Sequence, residues 1–252
     1  MRSVNAALSI DHVVIRVLDL ERATSDFTRL GFTVTPGGEH PGLGSRNALV
    51  CFEEGSYLEL IAFETPADPA TSSARSRFAF WRERGEGVVD LALSPPDLAE
   101  TLARAKHAGL KLEGPVPGSR KRPDGVQVAW ECAFSRHDDV PFLCADVTAR
   151  ELRVPDGAAR KHACGATGIA AIARTSRDVE RLRKDLSALA GTPAEADGGF
   201  SFGRTRLFAA PAAAGKPGEF VALAIWTERR GGGGALDPKL THGARIELVA
   251  LA

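Results

Sequence analysis

Apolar residues along this chain follow two alternating rhythms. Ile10 to Val17 is rich in β-branched residues and reads as a strand. Behind Asp19, a good N-cap, Leu20, Ala23, Phe27 and Leu30 recur at helical spacing, and Gly31 closes the segment. Phe32 to Thr35 resumes an extended pattern, and Pro36 to Gly44 reads as a glycine- and proline-rich loop. Asn47 to Glu53 and Ser56 to Phe63 are two more apolar runs, joined by the turn Glu54-Gly55.

The order strand, helix, strand, strand, strand then recurs. Val88 to Ser94 is a strand, and Asp97 to His107 is a helix closed by Gly109. Leu110 to Leu112, Val126 to Phe134 and Pro141 to Val147 supply the extended runs. A third pass has a strand at Gly168 to Arg174 and a helix at Asp178 to Ala190, closed by Gly191. Its later strands are Phe200 to Ala209, Glu219 to Thr227 and Ala244 to Leu251. Aligning the first apolar residue of each helix, Leu20, Leu98 and Val179, puts His12 at the position of Asp90 and Ala171. Tyr57-Leu58-Glu59-Leu60-Ile61 likewise matches Arg245-Ile246-Glu247-Leu248-Val249. The pattern predicts an α+β protein of three repeated βαβββ modules, at 1–64, 78–150 and 163–252, the last more divergent. Thr65 to Arg77 and Pro155 to Gly165 read as joints, and Gly231 to Gly234 as a mobile hairpin tip.

Composition narrows the class. The 252 residues carry 32 basic and 32 acidic side chains, so the net charge is zero and a general nucleic-acid binder is disfavoured. An apolar fraction of 44% excludes a disordered chain. No stretch of about 18 apolar residues exists to span a membrane, and Asp11 and His12 interrupt the first apolar run where a secretory signal needs an unbroken one. Cys51, Cys132, Cys144 and Cys164 form no CxxC pair, and the first three sit in strand-like runs. Reduced, buried thiols and a cytoplasmic location are the expectation. Arg120 to Gly125 reads as a solvated basic turn.

Three residues stand out chemically. His12 shares a strand face with Val14 and Arg16, opposite Asp11, Val13 and Ile15. A lone histidine on a strand is more often a satisfied structural residue than a ligand. Glu59 lies in an apolar run, where a carboxylate must be paired or bound to a metal; Arg16 and Arg46 are its possible ionic partners. His40 sits in the Gly-rich loop, which lacks the lysine and the strand-to-helix context of a phosphate loop. Two His and one Glu suit a divalent ion with open positions, if the fold unites them.

The module order, with IDHVVIRVLDLERATSDFTRLGF at the front and YLELIAF closing the first repeat, resembles the vicinal-oxygen-chelate superfamily. That group includes glyoxalase I, extradiol dioxygenases and bleomycin-resistance proteins. The loop GGEHPGLGSRNALV resembles its glyoxalase-like subfamily. The resemblance implies cupped mixed sheets around a cavity, with one divalent metal ion (Fe, Zn, Ni or Mn) held by residues of the first and last strands of a module. Carried over by position, it nominates His12 and Glu59, with Asp90 as the second module's equivalent of His12 and His40 as a further ligand. Glu59 would double as catalytic base, and Arg16 and Arg46 would hold an anionic group of the substrate. The implied activity is that of a lyase, isomerase or dioxygenase on a small oxygenated or thiol-conjugated molecule. The alternative is a metal-free sequestering protein of the bleomycin-resistance type. The third module would pair with a second copy, as a homodimer, or close on the first two.

Overall fold

A computed structural model describes residues 8–40, 43–64 and 72–251. Its first half contains β1 (Ser9–Arg16), α1 (Leu20–Arg29), β2 (Thr35–His40), β3 (Ser45–Cys51), β4 (Tyr57–Phe63) and α2 (Ser72–Glu83). Then come β5 (Gly87–Ser94), α3 (Leu98–His107), β6 (Leu112–Lys121), β7 (Gln127–Ser135), β8 (Phe142–Asp146) and α4 (Arg150–Arg153). The eight strands close into a barrel in the order β1-β4-β3-β2-β6-β7-β8-β5. The remainder forms β9 (Ala166–Ser176), α5 (Val179–Ala190), β10 (Gly199–Phe202), β11 (Thr205–Pro211), β12 (Phe220–Thr227), β13 (Gly234–Ala235) and β14 (Ile246–Ala250). These strands make an open six-stranded sheet, β10-β11-β9-β12-β14-β13. The fold is therefore α+β, with one sheet curled around an interior.

Helices α1, α3 and α5 start alike. Asp19, Asp97 and Asp178 each accept a hydrogen bond from the backbone N–H three residues on, at 2.9, 2.8 and 3.0 Å. Each bond satisfies one orphan donor of the first turn, worth about 1 kcal/mol. Leu20, Ala23 and Phe27 bury the inner stripe of α1.

Strands β1, β3, β4 and β5 are buried along both faces because both are covered. On β1, Val13 and Ile15 join the core that continues into Phe27, Ile172, Leu182 and Leu223, so the barrel wall and the open sheet share one apolar layer. Val14 points the other way and packs inside the barrel with Ile61, Trp81, Phe134 and Phe142.

Several elements differ from the sequence reading. Helix α2 occupies part of the stretch read as a joint, because Phe78 and Trp81 pack on the interior cluster; the part at 65–71 lies outside the described residues. Most of the predicted loop from Pro36 is strand β2, while Pro41 and Gly42 are outside the described residues. Gly38 makes that strand feasible: its φ is +138°, and a Cβ would stand 2.1 Å from the Lys121 carbonyl oxygen. The run Phe200 to Ala209 is two strands, split at Gly203. Arg120 is no turn residue but lies on β6, 2% exposed. The glycines 231–234 form a turn leading into β13. No described helix is long and apolar enough to cross a membrane.

Candidate active site

The barrel interior gathers His12 from β1, His40 from β2, Asn47 from β3 and Tyr57 and Glu59 from β4. Arg120 and Trp130 come from the facing module, and Phe78, Trp81, Phe134 and Phe142 form an aromatic wall. The free space is about 50 Å³, room for a small group but not for a drug-sized molecule.

Register explains the convergence. In the parallel pair β1–β4, His12 lies beside Tyr57, so Glu59 follows on the same face two residues further along. The antiparallel pair β3–β4 sets Leu49 opposite Glu59 and Asn47 opposite Ile61, one diagonal step away. Asn47 Nδ2 donates to Glu59 Oε1 at 2.7 Å. His12 Nε2 stands 3.6 Å from Glu59 Oε2, and His40 Nε2 stands 3.8 Å from Oε1. All three are buried. No arginine forms an ion pair with Glu59 among the described residues.

His12 is oriented from behind. Its Nδ1 lies 2.6 Å from Asp11 Oδ1, and its ring stacks on Tyr57 at 4.7 Å. Strict alternation would send Asp11 away from His12, but the β1–β5 register slips between Ile10 and His12. This bulge re-aims the Asp11 side chain. Burial alone would raise the Asp11 pKa; the Arg153 guanidinium, with help from His12, instead holds it well below the usual carboxylate range. Arg153 grips Asp11 with two bonds of 2.8 and 2.9 Å and donates to Tyr57 Oη at 2.9 Å. Arg150 adds a third bond to Asp11 at 2.9 Å. With Asp11 ionised, Nδ1–H donates to it, which leaves Nε2 facing the cavity and Glu59.

His40 is prepared differently. Burial drives its pKa down to about 4, outweighing the pull of Glu59, and Arg120 pushes the same way. It is a neutral imidazole at pH 7, with Nδ1 held 3.1 Å from Ser45 Oγ.

Two neutral-capable imidazoles and a carboxylate are the donor types a divalent ion takes. Bonds of about 2.1 Å from one ion would bring neighbouring donor atoms to about 3.0–3.4 Å, somewhat closer than found. As they stand, no three His, Cys, Asp or Glu among the described residues are near enough to hold a metal. The donor set thus fits in kind and is open in spacing.

The other nominated residues go elsewhere. Asp90 accepts from Arg77 Nε and Nη2, from Trp81 Nε1 at 2.8 Å and from the Leu91 N–H. Its charge is spent behind the aromatic wall. Arg46 lies outside the barrel, paired with Glu21 and Glu64. Arg16 ends β1 away from the cavity walls, its Nε sealed and unpartnered. The arginines that do line the cavity are Arg153, committed to Asp11, and Arg120. Its signal was alternation on β6, where Val116, Gly118 and Arg120 share a face. Asp11, Arg150 and Arg153 were missed because their partners are over a hundred residues apart in the chain.

Comparisons with known proteins agree with this architecture. A hypothetical protein from Staphylococcus aureus is similar over 97% of this chain and 100% of its own, with a TM-score of 0.74 and 15% identity. A mutant 4-hydroxymandelate synthase from Streptomyces coelicolor gives a TM-score of 0.57 at 16% identity, covering 90% of this chain and 73% of that one. A fusion of a xylose isomerase-like TIM barrel with a 4-hydroxyphenylpyruvate dioxygenase gives 0.59 at 12%, covering 98% of this chain but only 49% of that one. No curated protein matches the sequence. The glyoxalase-like domain family matches residues 10–190, and the chain belongs to that family, within the vicinal-oxygen-chelate superfamily.

Proposed function

We propose that the barrel interior is the active site of a divalent-metal-dependent lyase, isomerase or dioxygenase acting on a small oxygenated or thiol-conjugated substrate. The observation that carries it is the convergence of two imidazole Nε2 atoms on one buried carboxylate, Glu59. His12, His40 and Glu59 would hold the ion, which supplies Lewis acidity toward two neighbouring substrate oxygens.

The chain's own groups would do the rest. Asp11 and Arg153 fix the His12 ring and its tautomer. Glu59, with Oε1 tied to Asn47, keeps Oε2 free to take a proton from a substrate carbon or hydroxyl. Arg120 would anchor an anionic substrate group, in place of Arg16 and Arg46. The wall of Trp81, Phe134 and Phe142 excludes water and offers aromatic faces. That wall, and the fold shared with a 4-hydroxymandelate synthase and with a fusion protein that includes a 4-hydroxyphenylpyruvate dioxygenase, support oxygen chemistry on an aryl-bearing acid within this range.

A metal-free sequestering protein is the second reading, favoured by the open spacing of the donors. Elemental mass spectrometry on untagged protein separates the two. The first reading expects close to one Fe, Zn, Ni or Mn per chain, lost in the His12→Ala/Glu59→Gln double variant. If neither protein holds metal, and the wild type takes up none of the four when offered, the second reading stands.

A further inference from the structure

A buried cation without a partner lies outside the barrel. A cleft of about 480 Å³ runs between the turn joining β7 to β8 and the start of α5. Arg174 of β9 lines it and is only 6% exposed. Its guanidinium forms no ion pair or hydrogen bond with any described residue, and Nε is sealed and unpartnered. Phe220 covers the group at 4.6 Å. The nearest acid, Asp139, uses Oδ2 to accept from Ser176 Oγ at 2.6 Å and from Arg181, and its Oδ1 is buried without a hydrogen bond to Arg174 or to any other described residue. Burial lowers the Arg174 pKa to about 10, so the group is still charged at pH 7. Leaving such a charge buried and unpaired is costly, which singles out this position among the buried arginines. Arg77 and Arg153, by contrast, are each ion-paired, and Arg120, which has no ion pair among the described residues, donates to the Arg153 carbonyl at 2.7 Å.

We propose that this cleft is a second ligand site, which takes a small organic carboxylate on the free nitrogens of Arg174. The planar fork of a guanidinium matches the two oxygens of a carboxylate. Phe80 lines the same cleft and gives an apolar wall for the body of the acid. Phosphate is the poorer match: Asp138, Asp139 and Asp178 line the cleft with Arg177 and Arg181, so the lining beyond Arg174 carries no net positive charge to hold a dianion. The site does not depend on the proposed chemistry of the barrel.

Nuclear magnetic resonance on ¹⁵N-labelled protein tests this directly, with benzoate, benzamide and inorganic phosphate as probes. Amides of Ser176, Asp139 and Gly218 report the cleft; those of Glu59 and Trp130 report the barrel. Benzoate is expected to move the cleft amides while benzamide and phosphate leave them in place. Arg174→Met should weaken that binding roughly tenfold or more, and Arg174→Lys, which keeps charge but not the fork, should fall between. The spectrum of each variant shows whether it is folded, and Arg174→Lys carries the test if Arg174→Met is not. Unchanged benzoate binding in the variants overturns the site. So do equal shifts with benzamide or phosphate, and so do benzoate shifts confined to the barrel.

Discussion

The barrel and the open sheet are two versions of one strand plan. The barrel contains the run β3-β4-β1-β5-β8-β7, and the open sheet is β10-β11-β9-β12-β14-β13. Each neighbouring pair matches in direction: antiparallel, parallel, antiparallel, parallel, antiparallel. The last region is thus a reduced copy of both earlier modules, not a third single one. It lacks counterparts of β2 and β6, the two strands whose pairing closes the barrel. The register carries over as well. His12 pairs with Tyr57 as Ala171 pairs with Arg206, so Phe208 stands where Glu59 would. Where the sheet closes there is a buried polar cluster; where it stays open the same positions hold a methyl and a half-buried ring. A buried carboxylate between two imidazoles needs walls on every side, and only the closed copy supplies them.

The sharpest way to break this comparison is to attack the charge network that only the closed copy has. Arg153→Met leaves Asp11 buried against fewer partners and should cost about 3–5 kcal/mol in urea unfolding. Phe208→Ala, at the matching place on the open sheet, should cost about 1 kcal/mol. Equal costs would mean the two regions do not differ as described. Next comes closure itself. Gly38→Ala forces a side chain against the Lys121 carbonyl at a positive φ, and about 1–3 kcal/mol of stability should go with it. Gly109→Ala, also at positive φ but with nothing nearby, should cost less, by the same measurement.

Acid probes the joint between the two regions. Although burial works against it, Asp139 has its pKa lowered by bonds from Arg181 and Ser176, across the boundary from the β7–β8 turn to the open sheet. A depressed carboxylate stabilises the fold above its unfolded pKa of about 3.9 and loses that contribution as pH falls through the lower folded value. Asp11 follows the same sign. Asp139→Asn should therefore cost about 1–2 kcal/mol at pH 7, and the gap from wild type should vanish in strong acid. The smallest effect expected is at the caps: Asp178→Ala and Asp19→Ala should each lower stability by about 1 kcal/mol or less. A clear difference between those two would show that the two regions unfold separately.

Much of the fold was legible because its signals are local. Asp19 with Leu20, Ala23 and Phe27 announces α1 within ten residues, and the repeat of that pattern at Asp97 and Asp178 announces the plan. His12, His40 and Glu59 were nominated on residue type and resemblance, and the register brings them together. What stayed hidden depends on distant partners. Helix α2 has a weak apolar stripe and is defined by the aromatic cluster it meets. Strand β2 is glycine-rich and gains its place from β3 and β6. Asp90 reads like a ligand until Arg77 and Trp81 arrive from a segment read as a joint. Arg120 reads as solvated until β7 folds over it.

Among the described residues, strands β2 and β6 meet through a single residue pair, Glu39 with Lys121, whereas β6 and β7 are zipped along most of their length. Amide protons beside that stitch should exchange with solvent sooner than those of any other barrel strand. A groove of about 630 Å³ runs along the outside of the stitch, and Asn47 belongs to its wall as well as to the wall of the interior. The residue that holds the Glu59 carboxylate in place therefore stands at the weakest point of the enclosure, where breathing of the sheet would first join the inside to the bulk.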